Sequence, residues 1–400
     1  MLSAIPLFSS SAPEPADRGF DACGAPDGGA DPFDSLLARL RQEAAPFSAL
    51  WEMTHACNLD CVMCYNAPLA EPELSTAEGL ELLEQLAAAG VLRLTLSGGE
   101  ILSRRDFFTL AARARALGFA LTLKTNGTLI TEPAADRLAA LDPVQVDISL
   151  LGATEATFDA VAGSRNTLAR VLRGVRLLQA RGVRVKLNTL LLSLNVAERQ
   201  QMVDLAQELG VVYEQVLKVS ADDHGRDRAG QRQLSRQQMT AVYQADQTPF
   251  QPAARGASSR TCQVGLSSCV ISPYGEVYPC IELRISAGNI RRQPFGEIWR
   301  TAPVLHELRA RHTYGNLPEC QVCPINGYCQ GRCSGLAWKA HGDLYGADPT
   351  ACRQAQARYE QQHPGQTAPQ TPLQARAAYQ ATALPLPATG RRQPIQLLAA

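Results

Sequence analysis

The strongest constraint on the fold of this 400-residue chain is a regular alternation of strand-like and helix-like segments between residues 50 and 219. Short runs rich in Val, Leu and Ile predict strands, and longer segments with apolar residues three or four apart predict helices. The predicted strands are 50–54, 91–96, 120–124, 144–150, 183–191 and 211–219. The predicted helices are 76–89, 106–117, 134–140, 167–180 and 196–209. Six such units predict an α/β fold with a parallel sheet that curls into an open, partial (β/α)6 barrel.

The composition of the chain excludes several classes of partner. Lys and Arg number 38, Asp and Glu also number 38, and the isoelectric point is near 7.0. This balance removes the electrostatic reason to expect a nucleic acid or an anionic membrane as a partner. No apolar run is long enough to span a membrane, and the first 30 residues do not resemble a signal peptide. We therefore expect a cytoplasmic protein, in which clustered cysteines are metal ligands rather than disulfides.

The segments that flank the barrel differ from it in composition. Residues 1–47 are predicted to form a disordered or loosely ordered arm, in which Cys23 stands alone and has no assigned role. The barrel itself is predicted over 48–220, and a linker or bridging region over 221–259. Residues 356–400 are predicted to contain the end of a C-terminal helix and a disordered tail.

A cysteine triplet with the spacing CxxxCxxC follows the first predicted strand, at Cys57, Cys61 and Cys64. Active sites of parallel α/β sheets lie at the carboxyl ends of the strands, and the triplet begins at that end. A [4Fe–4S] cluster has four irons, so three cysteines leave one iron open to another ligand. The triplet therefore predicts a reactive cluster rather than a purely structural site.

Polar motifs follow the next three predicted strands. Ser97-Gly98-Gly99-Glu100 follows the second strand, where the glycines allow a ligand to approach the backbone and Glu100 offers a carboxylate. Lys124-Thr125-Asn126-Gly127-Thr128 follows the third strand, and Asp147 and Ser149 lie on the fourth. Each motif alone is typical of a turn. Their placement at successive strand ends predicts one shared site.

The triplet and Gly98-Gly99-Glu100 together resemble the radical S-adenosylmethionine (SAM) superfamily over about residues 48–220. The resemblance implies a partial, TIM-like barrel in which SAM chelates the open iron, and an electron from the cluster then produces a 5′-deoxyadenosyl radical that abstracts hydrogen from the substrate. It also implies that Cys57, Cys61 and Cys64 hold the cluster. The implied SAM contacts are Gly98, Gly99 and Glu100 with the methionyl amino group, Ser149 on strand four, and Arg170 and Asn188 with the ribose or carboxylate.

Eight further cysteines lie between residues 260 and 355, and their spacing resembles the SPASM extension of peptide- and protein-modifying radical SAM enzymes. That resemblance implies two auxiliary [4Fe–4S] clusters with interleaved ligands, which makes three clusters in all. One would be held by Cys262, Cys269, Cys280 and Cys333. The other would be held by Cys320, Cys323, Cys329 and Cys352. Two structural zinc sites are the alternative, because CxxC pairs also bind zinc.

We expect the substrate to be a peptide or protein, modified by a crosslink or an oxidation during the maturation of a ribosomally made peptide. Two enzymatic alternatives are sulfatase-type maturation and modification of tetrapyrrole side chains. Sulfatase-maturing relatives have an Asp that serves as a base directly after the cysteine that corresponds to Cys280. This chain has Ile281 and then Glu282 there, and Glu282 is the residue that could substitute for this base. A non-catalytic iron–sulfur electron carrier is the alternative from another class. The sequence does not identify a catalytic acid or base.

Three kinds of partner follow from the resemblance. The first is the peptide or protein substrate. The second is a separate small protein that binds the leader of the precursor, because residues 1–47 are too short for a winged-helix module. The third is an external electron donor of the flavodoxin or ferredoxin type. No nucleic acid or membrane partner is expected.

Overall fold

The computed structural model describes residues 32–222, 229–246, 250–253 and 255–374. Cys23 lies outside these residues. Helix α1 (Pro32–Gln42) precedes the barrel. The strands of the barrel are β1 (Ser48–Glu52), β2 (Arg93–Ser97), β3 (Ala120–Thr125), β4 (Gln145–Ser149), β5 (Val185–Leu190) and β6 (Val212–Val216). Its helices are α2 (Thr76–Ala88), α3 (Phe107–Ala116), α4 (Glu132–Ala140), α5 (Glu155–Ala162), α6 (Leu168–Gln179) and α7 (Arg199–Glu208).

The C-terminal half is built from short elements. Helix α8 (Arg236–Ala245) comes first and is followed by three short strands, β7 (Ser268–Ile271), β8 (Glu276–Tyr278) and β9 (Gly288–Asn289). The remaining helices are α9 (Phe295–Thr301), α10 (Pro303–Arg311), α11 (Pro318–Gln321), α12 (Ser334–His341) and α13 (Pro349–Gln362). No helix in the described parts of the chain is both long and apolar enough to cross a membrane.

The predicted α/β fold with an open barrel is confirmed. Within the described residues the nine strands form one sheet in the order β6-β5-β4-β3-β2-β1-β7-β8-β9, which does not close on itself. Strands β1 to β6 are parallel, and each predicted strand overlaps one of them. Parallel strands need crossover helices, and these helices cover one face of the sheet and leave the other to form the interior of the barrel.

The two faces of the sheet can be assigned from β1. A Cβ atom added to Gly79 of α2 would lie 2.8 Å from the Trp51 ring, so Trp51 points toward the helices. Side chains alternate along a strand, and therefore Leu50 and Glu52 point into the barrel. Ser75 starts α2 with a capping box that includes Glu78, as the Ser-Thr-Ala-Glu pattern indicates. The side chains of register partners on adjacent parallel strands point to the same face of the sheet. The assignment made for β1 therefore extends to β2 through β6.

The C-terminal half extends the barrel sheet, which its sequence does not indicate. Strand β7 pairs in parallel with β1, and Ala49 is the register partner of Cys269. Strands β8 and β9 then continue the sheet with antiparallel pairs. The two strands are more than 200 positions apart along the chain, and local residue patterns indicate a strand without naming its partner. The barrel and the cysteine-rich region thus share one sheet.

Within the described residues before 260, three helices lie where the sequence predicts no regular structure. Helix α1 lies within the 1–47 arm, and α8 lies within the 221–259 linker. Helix α5, between β4 and α6, has a local signal that the prediction missed, since the Thr154 side chain accepts a hydrogen bond from the Thr157 N–H and Gly163 ends the helix with a positive φ of 61°. Helix α8 likewise begins with a capping box at Ser235. Short helices with few apolar residues are poorly separated from loops by periodicity alone.

Candidate active site and cluster sites

The triplet loop follows β1 at the carboxyl edge of the sheet and is fastened to α5. Backbone N–H groups of Asp60 and Val62 donate to the carbonyls of Ala162 and Val161, at 3.1 and 3.0 Å. A Cβ atom at Gly163 would lie 2.2 Å from the Asp60 carbonyl oxygen, so only glycine permits this approach. The helix that the sequence analysis missed therefore holds the loop that bears the three cysteines.

The three thiols of this loop lie close enough to influence one another. Burial raises the pKa of the Cys61 thiol to about 12, and the neighbouring thiols of Cys64 and Cys57 add to the effect. Burial also raises the pKa of Cys57, which is the most exposed of the three. Three thiolates this close repel one another unless cations are bound between them. The group thus has the donor chemistry of an iron–sulfur site.

A side-chain network connects the triplet loop to the turn after β3. The Asn126 amide nitrogen lies 3.7 Å from the Cys57 sulfur and donates to Asn58 Oδ1 at 2.9 Å. Asn58 Nδ2 in turn donates to Thr128 Oγ1 at 2.8 Å, and Thr128 donates back to Asn126 Oδ1 at 2.6 Å. The Asn-Gly turn that the sequence placed near the site therefore contacts the first cysteine directly.

The paired glycines after β2 allow two backbone segments to touch. A Cβ atom at Gly98 would lie 2.3 Å from the Thr54 carbonyl oxygen, and one at Gly99 would lie 2.3 Å from the Ala56 carbonyl oxygen. The Gly99 N–H donates to the Thr54 carbonyl at 2.6 Å. The backbone that approaches these glycines belongs to the loop just before Cys57, and the expected approach of a ligand stays a prediction.

The carboxylate of Glu100 is fully buried and already satisfied by protein donors. It accepts hydrogen bonds from the Thr125 hydroxyl at 2.7 Å, the Asn126 N–H at 2.7 Å and the Leu102 N–H at 3.0 Å. Burial raises the pKa of Glu100, and these hydrogen bonds act in the opposite direction. Glu100 thus connects the end of β2 with the end of β3 and holds Asn126 in place. Its contact with the amino group of SAM stays a prediction.

Two of the other predicted SAM contacts are neighbours, and one is apart from them. Ser149 on β4 and Asn188 on β5 are register partners, so both point into the barrel near the carboxyl edge. Arg170 is exposed on α6, where its guanidinium donates to the carbonyls of Asn166 and Arg165 at 3.0 and 3.4 Å. The structure therefore brings Ser149 and Asn188 together, whereas the Arg170 side chain points toward the start of its own helix.

A layer of paired charges lies two residues below Ser149 and Asn188, inside the barrel. Lys124, Asp147 and Lys186 are successive register partners on β3, β4 and β5. The Asp147 carboxylate lies 3.2 Å from Lys124 Nζ and 3.7 Å from Lys186 Nζ, and Lys186 also pairs with Glu214 on β6 at 2.8 Å. A buried charge is tolerated when it is paired, so the interior of the barrel can be polar. The sequence identified Asp147 as a candidate site residue but did not indicate its pairing with Lys124 and Lys186.

The layer continues to β1 through a pair that the sequence analysis missed. Glu52 is fully buried and receives two hydrogen bonds from Arg284, at 2.6 and 2.9 Å. The Arg284 guanidinium also lies over the rings of Tyr278 and Tyr65, 5.0 and 5.6 Å from their centroids. Tyr65 directly follows Cys64. This pair therefore connects the triplet loop, the first strand and the segment after Cys280.

Four cysteines of the C-terminal half form one group. Burial raises the pKa of Cys320 to about 11, and the thiols of Cys329 and Cys323 add to it while Arg332 opposes it. Burial raises the pKa of Cys352 as well, with further contributions from Cys329 and Cys320. Cys352, at the start of α13, thus joins the three cysteines of the CxxCx5C segment. This is the second set that the SPASM resemblance implies.

The other predicted set is brought together only in part. Burial raises the pKa of Cys333, and the Cys280 thiol is its next largest cause. Cys262 is buried near the same region, with its sulfur 4.0 Å from His312 Nδ1, while His312 and Arg332 both contact the hydroxyl of Ser334, the residue after Cys333. Burial alone raises the pKa of Cys269.

The donor sets fit iron–sulfur clusters. All eleven cysteines in the described residues are free of disulfides. Within those residues, no group of three or more His, Cys, Asp or Glu side chains is compact enough to bind a single metal ion. The thiolates of a cubane cluster bind four different irons and are spread more widely than the ligands of one ion.

Glu282, the residue that could replace the base of sulfatase-type enzymes, is engaged elsewhere. Its carboxylate lies 3.3 Å from Lys339 Nζ on α12, and Lys339 also donates to the Ala221 carbonyl at 3.1 Å. The ammonium group of Lys339 therefore occupies part of this carboxylate. The geometry gives no support to Glu282 as a free base.

Comparison with known proteins agrees with this geometry. The model of the radical SAM superfamily matches residues 51–206, and the model of the SPASM iron–sulfur cluster-binding domain matches residues 262–324. An AdoMet-dependent heme synthase of Methanosarcina barkeri is 31% identical, over 76% of this chain and 96% of that protein. Mycofactocin maturase MftC of Mycobacterium ulcerans is 31% identical, over 76% of this chain and 87% of that protein. A PqqA peptide cyclase of Xanthomonas euvesicatoria is 31% identical, over 77% and 88%.

Solved structures share the fold. Streptococcus suis SuiB bound to precursor peptide SuiA superposes with a TM-score of 0.62 at 17% identity and covers 82% of each chain. Native anSMEcpe with bound AdoMet superposes with a TM-score of 0.59 at 18% identity, over 80% of this chain and 97% of that one. The radical SAM domain binds SAM and a [4Fe–4S] cluster, and the SPASM domain binds auxiliary iron–sulfur clusters. The chain therefore belongs to the radical SAM superfamily, and it is a radical SAM enzyme with a C-terminal SPASM domain.

Proposed function

We propose that this enzyme modifies a peptide or protein, by crosslinking or oxidising a ribosomally made precursor. The observation that supports it most is the extended match to a mycofactocin maturase and a PqqA peptide cyclase, each 31% identical over more than four-fifths of the relative. The continuous sheet from β1 to β7 adds a structural argument, because it fixes the cysteines of the C-terminal half beside the barrel that generates the radical.

We assign the cofactors to residues as follows. Cys57, Cys61 and Cys64 would bind the SAM cluster, and Gly98 to Glu100, with Ser149 and Asn188, would contact the SAM molecule. Arg170 would have to turn away from its helix start to reach it. When bound, the cluster supplies the electron that cleaves SAM to methionine and a 5′-deoxyadenosyl radical. The mutual effects among the thiols support Cys320, Cys323, Cys329 and Cys352 as one auxiliary set, and Cys280 with Cys333 in the other.

The residues of the barrel interior would position the substrate. The paired charges of Lys124, Asp147, Lys186 and Glu214 make a polar floor below the strand ends. Such a floor would orient polar groups of a substrate below the carboxyl edge. Hydrogen abstraction leaves an electron to be removed from the substrate, and the auxiliary clusters are suited to accept it.

A leader-binding protein and an electron donor are the partners that we propose. The separate small protein would bind the leader of the precursor and present the rest of the peptide to the barrel. A flavodoxin or ferredoxin would supply the low-potential electron for SAM cleavage. A cytoplasmic location, where thiols stay reduced, would keep the cysteines available as cluster ligands.

Modification of a tetrapyrrole is the second candidate. It is favoured by the 31% identity to an AdoMet-dependent heme synthase, which this chain covers over 96% of its length. The same chemistry could act on a carboxylate-bearing ring in place of a peptide. A direct test must therefore distinguish a peptide substrate from a tetrapyrrole substrate.

One anaerobic experiment separates the two candidates. The reconstituted enzyme is incubated with SAM and dithionite, and with either the peptides encoded beside its gene or a carboxylate-bearing tetrapyrrole. We expect a peptide to raise 5′-deoxyadenosine formation and to lose two hydrogens for each crosslink or oxidation, one as the abstracted hydrogen atom and one as a proton and an electron. Stimulation by the tetrapyrrole alone would overturn the proposal. Cys57→Ala should abolish 5′-deoxyadenosine in every reaction, which controls for cleavage that does not depend on the enzyme.

A further inference from the structure

The position of Cys269 on β7 separates it from the cysteines with which the SPASM resemblance groups it. Cys269 is the register partner of Ala49, and Ile271 is the register partner of Trp51. Trp51 points toward α2, so the side chain of Cys269 also points to the helix-covered face of the sheet. Its side chain is completely buried there, within the hydrophobic core.

The segment that contains Cys280 lies over the opposite face. Tyr278 is the register partner of Val270, which neighbours Cys269 and therefore points into the barrel. Arg284 lies 5.0 Å over the Tyr278 ring and pairs with Glu52, whose side chain also points into the barrel. The chain from Tyr278 to Arg284 thus runs along the interior, and the sheet itself stands between Cys280 and the Cys269 side chain.

The contacts of Cys333 agree with this separation. A Cβ atom added to Gly335, two residues after Cys333, would lie 2.4 Å from the Glu282 carbonyl carbon, so the start of α12 touches the segment that follows Cys280. Cys333 therefore lies beside the Cys280 segment, on the side of the sheet opposite to the Cys269 side chain.

We propose that Cys269 is a core residue, and that the auxiliary cluster of Cys262, Cys280 and Cys333 has three protein thiolates and one iron open to a donor from outside the chain. This inference rests on the proposed ligand assignment and goes beyond it. The open iron would take a small anionic or soft donor, either from solvent or from a group on the substrate. Such a cluster can bind a substrate as well as accept its electron, whereas a cluster with four cysteines can only transfer electrons.

Iron content tests the role of Cys269. Wild-type enzyme reconstituted under argon should hold about twelve irons, and Cys269→Ala should hold the same number. Cys280→Ala is the matched control at a proposed ligand and should lose up to four irons. A second variant, Cys269→Val, places a β-branched apolar side chain in the strand and fills the space, in case alanine leaves a damaging cavity. Loss of about four irons in both Cys269 variants, with the SAM cluster still present, would overturn the inference.

Binding of an external ligand tests for the open iron independently of the Cys269 variants. The triple variant Cys57→Ala, Cys61→Ala, Cys64→Ala removes the SAM cluster and its own open iron, so about eight irons should remain. We expect cyanide to change the electron paramagnetic resonance spectrum of one of the two reduced clusters in this variant. An unchanged spectrum would show that the chain fills the fourth position and would overturn the inference. A wild-type content of about four irons would instead contradict the proposed ligand assignment, and the two failures are therefore distinguishable.

Discussion

Glu52, the last residue of β1, forms a two-point ion pair with Arg284, which follows β8 by six residues. The pair lies inside the barrel, where Glu52 is completely buried and the Arg284 side chain is 11% exposed. Two charges can be kept in such a place only if each satisfies the other. The pair therefore fastens the cysteine-rich half to the strand that leads into the triplet loop.

Removal of one partner of this pair should be costly. Arg284→Met leaves the Glu52 carboxylate buried without its cation, and we expect the free energy of unfolding to fall by about 3–5 kcal/mol. Urea unfolding under argon measures this loss. Arg115→Met is the control, because Arg115 pairs with Asp142 at the surface and should cost less than about 1 kcal/mol. Equal losses in the two variants would contradict a buried, stabilising pair.

The same pair predicts a dependence of stability on pH. Burial tends to raise the pKa of Glu52, but His55 and Arg284 outweigh it and lower the pKa to about 2. Since this pKa lies below the value in the unfolded chain, the contribution is complete above about pH 4.5 and is lost as the pH falls toward 2. The stability difference between wild type and Glu52→Gln should shrink by about 1 kcal/mol between pH 7 and pH 4. A difference that grows as the pH falls would contradict the assignment.

The glycine pair predicts a local steric effect on SAM cleavage. In Gly99→Ala the new Cβ would meet the Ala56 carbonyl oxygen at 2.3 Å, and the loop before Cys57 must shift. We expect the rate of 5′-deoxyadenosine formation to fall at least tenfold, because an increase of about 1.4 kcal/mol in the activation free energy is enough for that change. Gly118→Ala is the control: Gly118 has a φ of +88° and nothing within 4 Å of its added Cβ. It should cost about 1 kcal/mol of stability and leave SAM cleavage unchanged.

Glu100→Gln should weaken the junction between β2 and β3. The carboxylate accepts from three donors, whereas an amide presents one oxygen and must turn its NH2 group toward another donor. A buried donor left without a partner costs about 1–3 kcal/mol, which urea unfolding would detect. Glu81→Gln on the exposed face of α2 serves as the control and should change stability by less than about 0.5 kcal/mol. Unchanged stability in Glu100→Gln would show that its hydrogen bonds are not structural.

Asn188 and Arg170 should differ in their effect on SAM binding. Asn188 points into the barrel beside Ser149, and loss of a hydrogen bond to a charged ligand group should weaken SAM affinity about tenfold. Arg170 contacts backbone carbonyls at the start of its own helix, so Arg170→Ala should weaken affinity less. Equilibrium binding of SAM to the reconstituted enzyme compares the two. A larger effect at Arg170 would mean that its side chain turns inward when SAM binds.

The sequence was sufficient to predict the features that local patterns encode. The six strands and the Cys57 triplet depend on spacing along the chain, and the structure has the strands where their Val- and Leu-rich runs predict them. The Glu52–Arg284 pair joins residues 232 positions apart, and no local signal connects them. Glu100 was predicted in part. Its Gly-Gly-Glu motif indicated a residue of the site, but the sequence did not indicate the protein donors that bind its carboxylate. The facing direction of Cys269 depends on the pairing of β7 with β1, which spacing between cysteines does not reveal.

The pairing of β7 with β1 also determines how the molecule unfolds and how it responds to truncation. Strand β1 has β2 on one side and β7 on the other, so it is an interior strand whose second edge is provided by the C-terminal half. A truncation that ends the chain before residue 260 would expose that edge as a row of unpaired N–H and carbonyl groups, and would leave Glu52 without Arg284. The SPASM region of this enzyme is thus not an appendage that can be cut away or transplanted, and the two halves should unfold in a single cooperative step.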